Sequence, residues 1–275
     1  MTYQTVTIHL GMHKTGSSAI QSMLRRNAAR LARASIHYPE YKGRKLADRM
    51  DGNHSLVFLQ HAGIEDLGAF LESRITLLSQ HKSLIVSAEY LSRTVAIRGV
   101  LRSLVSLFPG AAVRFVIYIR RYDHQLESAY AEGVKRKLCG DLIADERSYD
   151  LTSILSPLFD MIGKENVVVR PYNPRHWVKG DLLSDFLQAV GVPAGTVPAK
   201  ALQGDVARNT RRPRLYTYIL SRLTKVEDKI AMAAFLDDHP QLMPADRAKY
   251  FLSPEERNAV NARQREVDQP FFDAQ

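Results

Sequence analysis

Only one of the 275 residues is a cysteine, Cys139. A lone thiol excludes an intrachain disulfide and makes a reducing compartment, the cytoplasm, the simpler assumption. Cys139 follows "VKRKL" and precedes "GD", which reads as a helix end and a turn, so thiol chemistry has little support. Apolar runs are short. Nowhere do 18 apolar residues stand together, and the N-terminus enters a strand pattern without the basic region and long apolar core of a signal peptide. A soluble chain with no transmembrane segment is expected. Acidic residues are the scarcer charge, 29 against 38 Lys and Arg, for a net charge of +9. That balance favours an anionic partner such as a nucleotide, a nucleic acid, a sulfated or phosphorylated glycan or an acidic membrane surface. Nucleic acid drops out, because no DNA- or RNA-binding motif is present and the basic residues are not interleaved with aromatics along one segment. Internal repeats and low-complexity tracts are absent, and a hydrophobic content of 45% argues against disorder. The histidines show no metal-ligand spacing, and no metal is called for.

What is present is a repeating alternation of strand and helix. Apolar β-rich runs occur at 5–10 ("TVTIHL"), 83–88 ("SLIVSA"), 113–119 ("VRFVIYI") and 166–169 ("NVVV"). Helical periodicity falls between them, at 17–33, 54–61, 66–80, 95–107, 123–137, 151–162 and 180–190. Strands separated by helices predict an α/β fold: a three-layer parallel sheet with helices on both faces. Residues 191–213 read as a long loop, and "LSPEER" starts a last helix with Ser253 as N-cap, Pro254 at the first position and Glu256 at the third. The organisation expected is one domain over 1–275, with 191–275 as a loop-rich, helical C-terminal annex.

The densest chemistry is "VTIHLGMHKTGSSAIQSML", residues 6–24. A strand running through a glycine-bearing turn into a helix makes an anion site, because the first helical N–H groups lack internal partners and the helix dipole is positive there. The common nucleotide loop reads GxxxxGK and then Ser or Thr, with lysine after the glycine. Here the order is Gly11, Met12, His13, Lys14, Thr15, Gly16, Ser17, Ser18, with the lysine in front, and the usual register fails. A second constellation, "VRFVIYIRRYDHQLESAY", is a β-run ending in Arg120 and Arg121, with Ser128 eight residues beyond Arg120. Eight residues are a little over two helical turns, a spacing that lets a returning helix bring Ser128 towards a ligand held by Arg120.

Together "HKTGSS" and the Arg120–Ser128 pair resemble the sulfotransferases that use 3′-phosphoadenosine 5′-phosphosulfate (PAPS). The resemblance covers roughly residues 5–190 and implies a P-loop-like fold with PAPS as co-substrate. It further implies that Lys14 contacts the bridging oxygen and that the backbone of Thr15, Gly16, Ser17 and Ser18 wraps the 5′-phosphate. Arg120 and Ser128 would bind the 3′-phosphate. The segment 167–192 looks like its counterpart in bacterial members that act on carbohydrates, and Ala19 stands where the cytosolic aryl-alcohol branch has a bulky aromatic. Both lean towards a glycan or glycolipid acceptor.

Sulfuryl transfer also needs a base for the acceptor hydroxyl. Two residues compete: Glu89, ending the strand "LIVSAE" at the sheet edge where ligands bind, and His54 in "DGNHSLVF". The basic run Arg208 to Arg214 is a surface charge run or a grip on an anion. Two other readings compete with the transferase: a P-loop kinase of unusual register, which would need an acidic magnesium ligand at a strand end, and a non-catalytic polyanion-binding protein.

Overall fold

The computed structural model describes residues 3–12, 14–42, 52–54, 81–89, 102, 105–136, 151–202, 214–242 and 251–273. In chain order its strands and α-helices are β1 (Thr5–Gly11), α1 (Ser17–Arg26), α2 (Ala28–Arg33), β2 (Ile36–His37), β3 (Ser83–Glu89), β4 (Ala112–Ile119), α3 (Tyr122–Arg136), α4 (Leu151–Ile162), β5 (Val167–Pro171), α5 (Leu182–Ala189), α6 (Ala199–Leu202), α7 (Arg214–Arg222), α8 (Val226–Asp238) and α9 (Pro254–Asp273). Of the expected helices, 66–80, all of 54–61 except His54, and most of 95–107 lie outside the described residues, as does residue 13 of the loop. Chain contacts divide the protein into two compact units, Met1–Arg120 with Thr152–Arg208, and Arg121–Leu151 with Asn209–Gln275.

The first unit holds a five-stranded, wholly parallel sheet in the order β2-β3-β1-β4-β5. Its strands are near-continuous β-branched and apolar runs because both faces are covered. One face carries Val6, Ile8, Leu10, Leu84, Val86, Phe115 and Ile117, all buried. The other packs Ile85, Val116 and Tyr118 against Ile20, Met23 and Leu24 of α1 and Leu183, Phe186 and Leu187 of α5. Each fully buried side chain of this size contributes about 1.5–3 kcal/mol relative to exposure. This is the α/β sheet that the alternating pattern predicts.

Two local features differ from expectation. The helix expected over 17–33 breaks at Asn27, whose N–H donates to Met23 O and Leu24 O and whose Nδ2 donates to Met23 O at 2.9 Å. A short amide side chain competes with the helical ladder, and the chain restarts as α2. β2 was not expected at all: two residues, paired only at Ile36↔Ser83 and His37↔Leu84, are too short to show a period.

The second unit is helical. Val134 of α3, Tyr216 and Leu220 of α7 and Leu236 of α8 share one buried cluster, and Tyr122 and Leu126 of α3 share another with Leu252 and Val260. The start of α9 is as its sequence predicts: Glu256 N–H donates to Ser253 Oγ at 3.2 Å while Ser253 N–H donates to Glu256 Oε2 at 2.7 Å.

Candidate active site

β1 lies between β3 and β4, and the chain leaves it first for the β2–β3 side and later for the β4–β5 side. Such a reversal opens a crevice beyond the carboxyl ends of the strands, the usual ligand position in open α/β sheets. Four segments of the first unit reach that edge: the loop after β1, Glu89 at the end of β3, Arg120 after β4 and Tyr172 after β5.

The loop is tight because two of its residues lack side chains. A Cβ on Gly11 would lie 2.5 Å from Ser17 Oγ and 3.2 Å from Glu89 Cα, so any other residue would force the Ser17 side chain and the end of β3 to shift. Gly16 caps α1 in the left-handed region (φ 77°, ψ 16°), where a Cβ would come 2.4 Å from Leu182 Cδ2 and 3.2 Å from Tyr172 Cε2. The Met12 carbonyl accepts from Thr15 Oγ1 at 2.8 Å, Thr15 N–H at 3.4 Å and Ser17 Oγ at 3.4 Å. The hydroxyls of Thr15 and Ser17 therefore shape the turn, while Ser18 is exposed. No acidic residue and no side-chain cap occupy the first turn of α1, so its positive end is not offset from within the helix.

Lys14 adopts φ 63°, a conformation costing a non-glycine residue on the order of 1–3 kcal/mol. It turns the Lys14 carbonyl towards Arg120, whose Nη1 donates to it at 3.0 Å across 106 positions of sequence. The Arg120 guanidinium also lies 5.5 Å from the centre of the Tyr172 ring, an attraction between cation and ring face. Tyr172 extends the β4–β5 ladder by donating its N–H to Ile119 O at 2.7 Å and meets Trp177 edge-on. Burial pushes its phenol pKa up, against the opposing pull of Arg120.

Beneath this edge Asp185 of α5 accepts from Tyr118 Oη at 2.7 Å, from Arg170 Nε at 3.1 Å, from Arg170 Nη2 and from Val178 N–H at 3.1 Å. Burial alone would raise the Asp185 pKa. The bonds from Arg170 and Tyr118 outweigh it and hold the carboxyl below the usual range. One ionised carboxylate thus pins β4, β5 and α5 together.

Arg121 is differently engaged. Within the second unit it grips the buried Asp123 with Nε at 2.6 Å and Nη2 at 2.8 Å, and Arg257 Nε adds a third bond at 2.8 Å. Burial pushes the Asp123 pKa up, but these arginines bring it down to about 2. Of the two adjacent arginines, Arg120 is the one tied to the loop. Ser128 is half-buried on α3 in the second unit. Residues 208–213 of the basic run lie outside the described residues.

On the β3 side, Glu89 is half-buried, pairs in register with Gly11 and donates its N–H to Asn53 Oδ1 at 3.3 Å. His54 is fully buried. Its Nε2 donates to Pro39 O at 2.8 Å and its Nδ1 accepts from Ser87 N–H at 3.0 Å, so backbone engages both ring nitrogens and fixes the neutral tautomer. Burial, opposed only by those two backbone bonds, lowers its pKa to about 4. Below it, Ser87 Oγ pairs with His9 Nδ1 at 2.8 Å and accepts from Gln21 Nε2 at 3.1 Å. Burial lowers the His9 pKa to about 3.

Sequence reasoning missed Tyr172, Asn53 and the His9–Ser87–Gln21 cluster. Tyr172 had a usable signal: it lies three residues beyond the strand predicted at 166–169, and such positions fall near the carboxyl edge. The polar cluster had none, since His9 and Ser87 sit inside apolar runs and Gln21 inside a helix. Among the described residues, no helix is long and apolar enough to cross a membrane, and no group of three or more His, Cys, Asp or Glu is arranged to hold a metal.

No protein-family model matches the chain, and no curated protein matches it significantly. Among solved structures, the chain is similar to a sulfotransferase from Alicyclobacillus acidocaldarius, with 13% identity, 84% of this chain and 94% of that chain covered, and a TM-score of 0.41. It is also similar to the sulfotransferase domain of the Synechococcus PCC 7002 olefin synthase, with 14% identity, 86% and 95% covered, and a TM-score of 0.37. At these values neither likeness bears on donor, acceptor or residue roles, which rest on the site itself.

Proposed function

We propose that the protein is a sulfotransferase that uses PAPS as donor and a hydroxyl of a glycan or glycolipid as acceptor. One observation carries the reading: Arg120 Nη1 donates to the Lys14 carbonyl at 3.0 Å, so the arginine that ends one motif meets the loop of the other at the switch point of the sheet. The residues present fit such a donor. Gly11 and Gly16 keep the loop close to the sheet, the start of α1 carries no acidic residue and suits a 5′-phosphate, and Arg120 bonds to the loop at Lys14.

When bound, the donor supplies a sulfuryl group that passes in line to the acceptor oxygen. The amides of the Thr15–Ser18 turn hold the 5′-phosphate, and Arg120 takes the 3′-phosphate. Lys14 offers its ammonium group to the charge that grows on the leaving oxygen, an interaction stronger in the transition state than in the ground state. Glu89, opposite Gly11 at the end of β3, takes the acceptor's proton. Ala19, half-buried just after the loop and packed against the core, offers no ring to stack on a flat aromatic acceptor, in keeping with a sugar.

Calorimetry with adenosine 3′,5′-bisphosphate and with ATP, each with and without magnesium, separates this reading from a kinase and from a general polyanion binder. The bisphosphate is expected to bind without magnesium and ahead of ATP. Binding of ATP that depends on magnesium, or equal weak binding of every anion, would overturn the proposal.

A further inference from the structure

β2 covers β3 only as far as Leu84, so the outer edge of β3 beyond it needs other hydrogen-bond partners. The turn at 52–54 provides them. His54 N–H donates to Ser87 O at 2.8 Å, Ser87 N–H donates to His54 Nδ1 at 3.0 Å, and Glu89 N–H donates to Asn53 Oδ1 at 3.3 Å. Among the described residues, one backbone amide and two side chains thus engage this edge over the last three residues of β3. The turn is anchored in its own right: His54 Nε2 donates to Pro39 O, Tyr38 Oη donates to Gly52 O, and the Tyr38 ring lies 4.9 Å from the His54 ring. From inside the sheet, Ser87 Oγ is held by His9 and Gln21.

We propose that Asn53 and His54 are positioning residues, a two-residue substitute for a strand that fixes the Glu89 end of β3 against the Gly11 loop. The inference rests on the reading of Glu89 as the base. A strand end with unpaired amides frays, whereas a base must keep its geometry to within a fraction of an ångström, and a 1 Å displacement alone can cost about 10²-fold in rate. His54 suits a structural peg because its two ring nitrogens, one donor and one acceptor, join two separate backbone groups. Asn53 suits the outer position because its Oδ1 reaches the very residue whose carboxylate is in play.

Asn53 is half-buried, so its variants are the safer probe; His54→Ala removes two buried bonds and risks the fold. Two measurements test the inference. Hydrogen exchange followed by mass spectrometry is expected to show faster exchange at Ser87–Glu89 in Asn53→Ala, unchanged exchange in β4, and recovery of the wild-type rate in Asn53→Asp, which keeps the acceptor oxygen. Unchanged exchange at Ser87–Glu89 in Asn53→Ala would overturn the peg. The second is bisphosphate release from PAPS, with octyl β-glucoside as acceptor or by slow hydrolysis where the glucoside is not used. Asn53→Ala is expected to lower kcat between about 10- and 100-fold without weakening bisphosphate binding, and to add nothing in a Glu89→Gln background. Additive losses in the double variant would show that Asn53 does not act through Glu89. A Glu89→Gln single variant with normal kcat would instead remove the reading of Glu89 on which the inference stands, so the two failures are distinguishable.

Discussion

The β4–β5 flank of β1 is held by charge, and the β3 flank by buried neutral groups. On the first flank Arg120 spans the Lys14 carbonyl and the Tyr172 face, above an ionised Asp185 that binds Arg170 and Tyr118. On the second, His54 and His9 are fully buried and kept neutral, and they act through one donor or acceptor at a time on Ser87. A charged flank attracts an anionic donor and its affinity weakens with salt. On the neutral flank, burial holds His9 and His54 uncharged, and both bond to Ser87, two residues before Glu89. On the proposed function, the donor lies on the charged side of β1 and the acceptor on the neutral side.

The largest effect is expected at Glu89. Glu89→Gln keeps size and hydrogen bonding but loses basicity, and kcat should fall by about 10²–10⁴ while bisphosphate affinity stays at the wild-type value. A matching loss of affinity would place Glu89 on the donor side and break the division between flanks. Lys14→Ala comes next, with kcat down by about 10²–10³ and a much smaller loss in bisphosphate binding. Equal losses in both would make Lys14 a ground-state contact only.

A smaller effect distinguishes the flanks by pH. His9 and His54 are depressed in the folded protein to about 3 and about 4, from 6.5. Below pH 6.5 the unfolded chain takes up these protons and the folded chain does not, so stability is complete above 6.5 and falls as pH falls towards 4. The slope reaches about 1.4 kcal/mol per pH unit for each histidine. Urea midpoints between pH 7 and pH 5 should drop in the wild type and drop less in His54→Asn, with Arg120→Ala following the wild type. A flat midpoint over that window would mean that the histidines are accessible to protons in the folded state.

Much of the charged flank was legible in the sequence because its residues announce themselves locally. Two glycines, a lysine and three hydroxyls within eight positions mark the loop, and the apolar runs of β1, β3 and β4 end within a residue of where they were expected. The capping residues of α9 follow from Ser253 and Glu256 alone. The neutral flank was not legible. Asn53 and His54 are tied to β3 by bonds across more than 30 positions, and nothing in "DGNHSLVF" shows a period that would announce them. His54 drew notice as a candidate base for its residue type; its two backbone partners exist only in the folded chain. Tyr172 lay hidden for a related reason, since its neighbours Gly16 and Arg120 come from the start of α1 and from just after β4.

The most direct test of the central claim is a titration of the wild type and of Arg120→Ala with adenosine 3′,5′-bisphosphate and with AMP, in the absence of magnesium. The two ligands differ by the 3′-phosphate alone, and a charge-assisted hydrogen bond to it is worth about 1.5–3 kcal/mol. The wild type is expected to favour the bisphosphate by at least about tenfold, and Arg120→Ala to lose most of that preference while binding AMP as before. Equal affinity of the wild type for the two nucleotides would contradict the donor assignment.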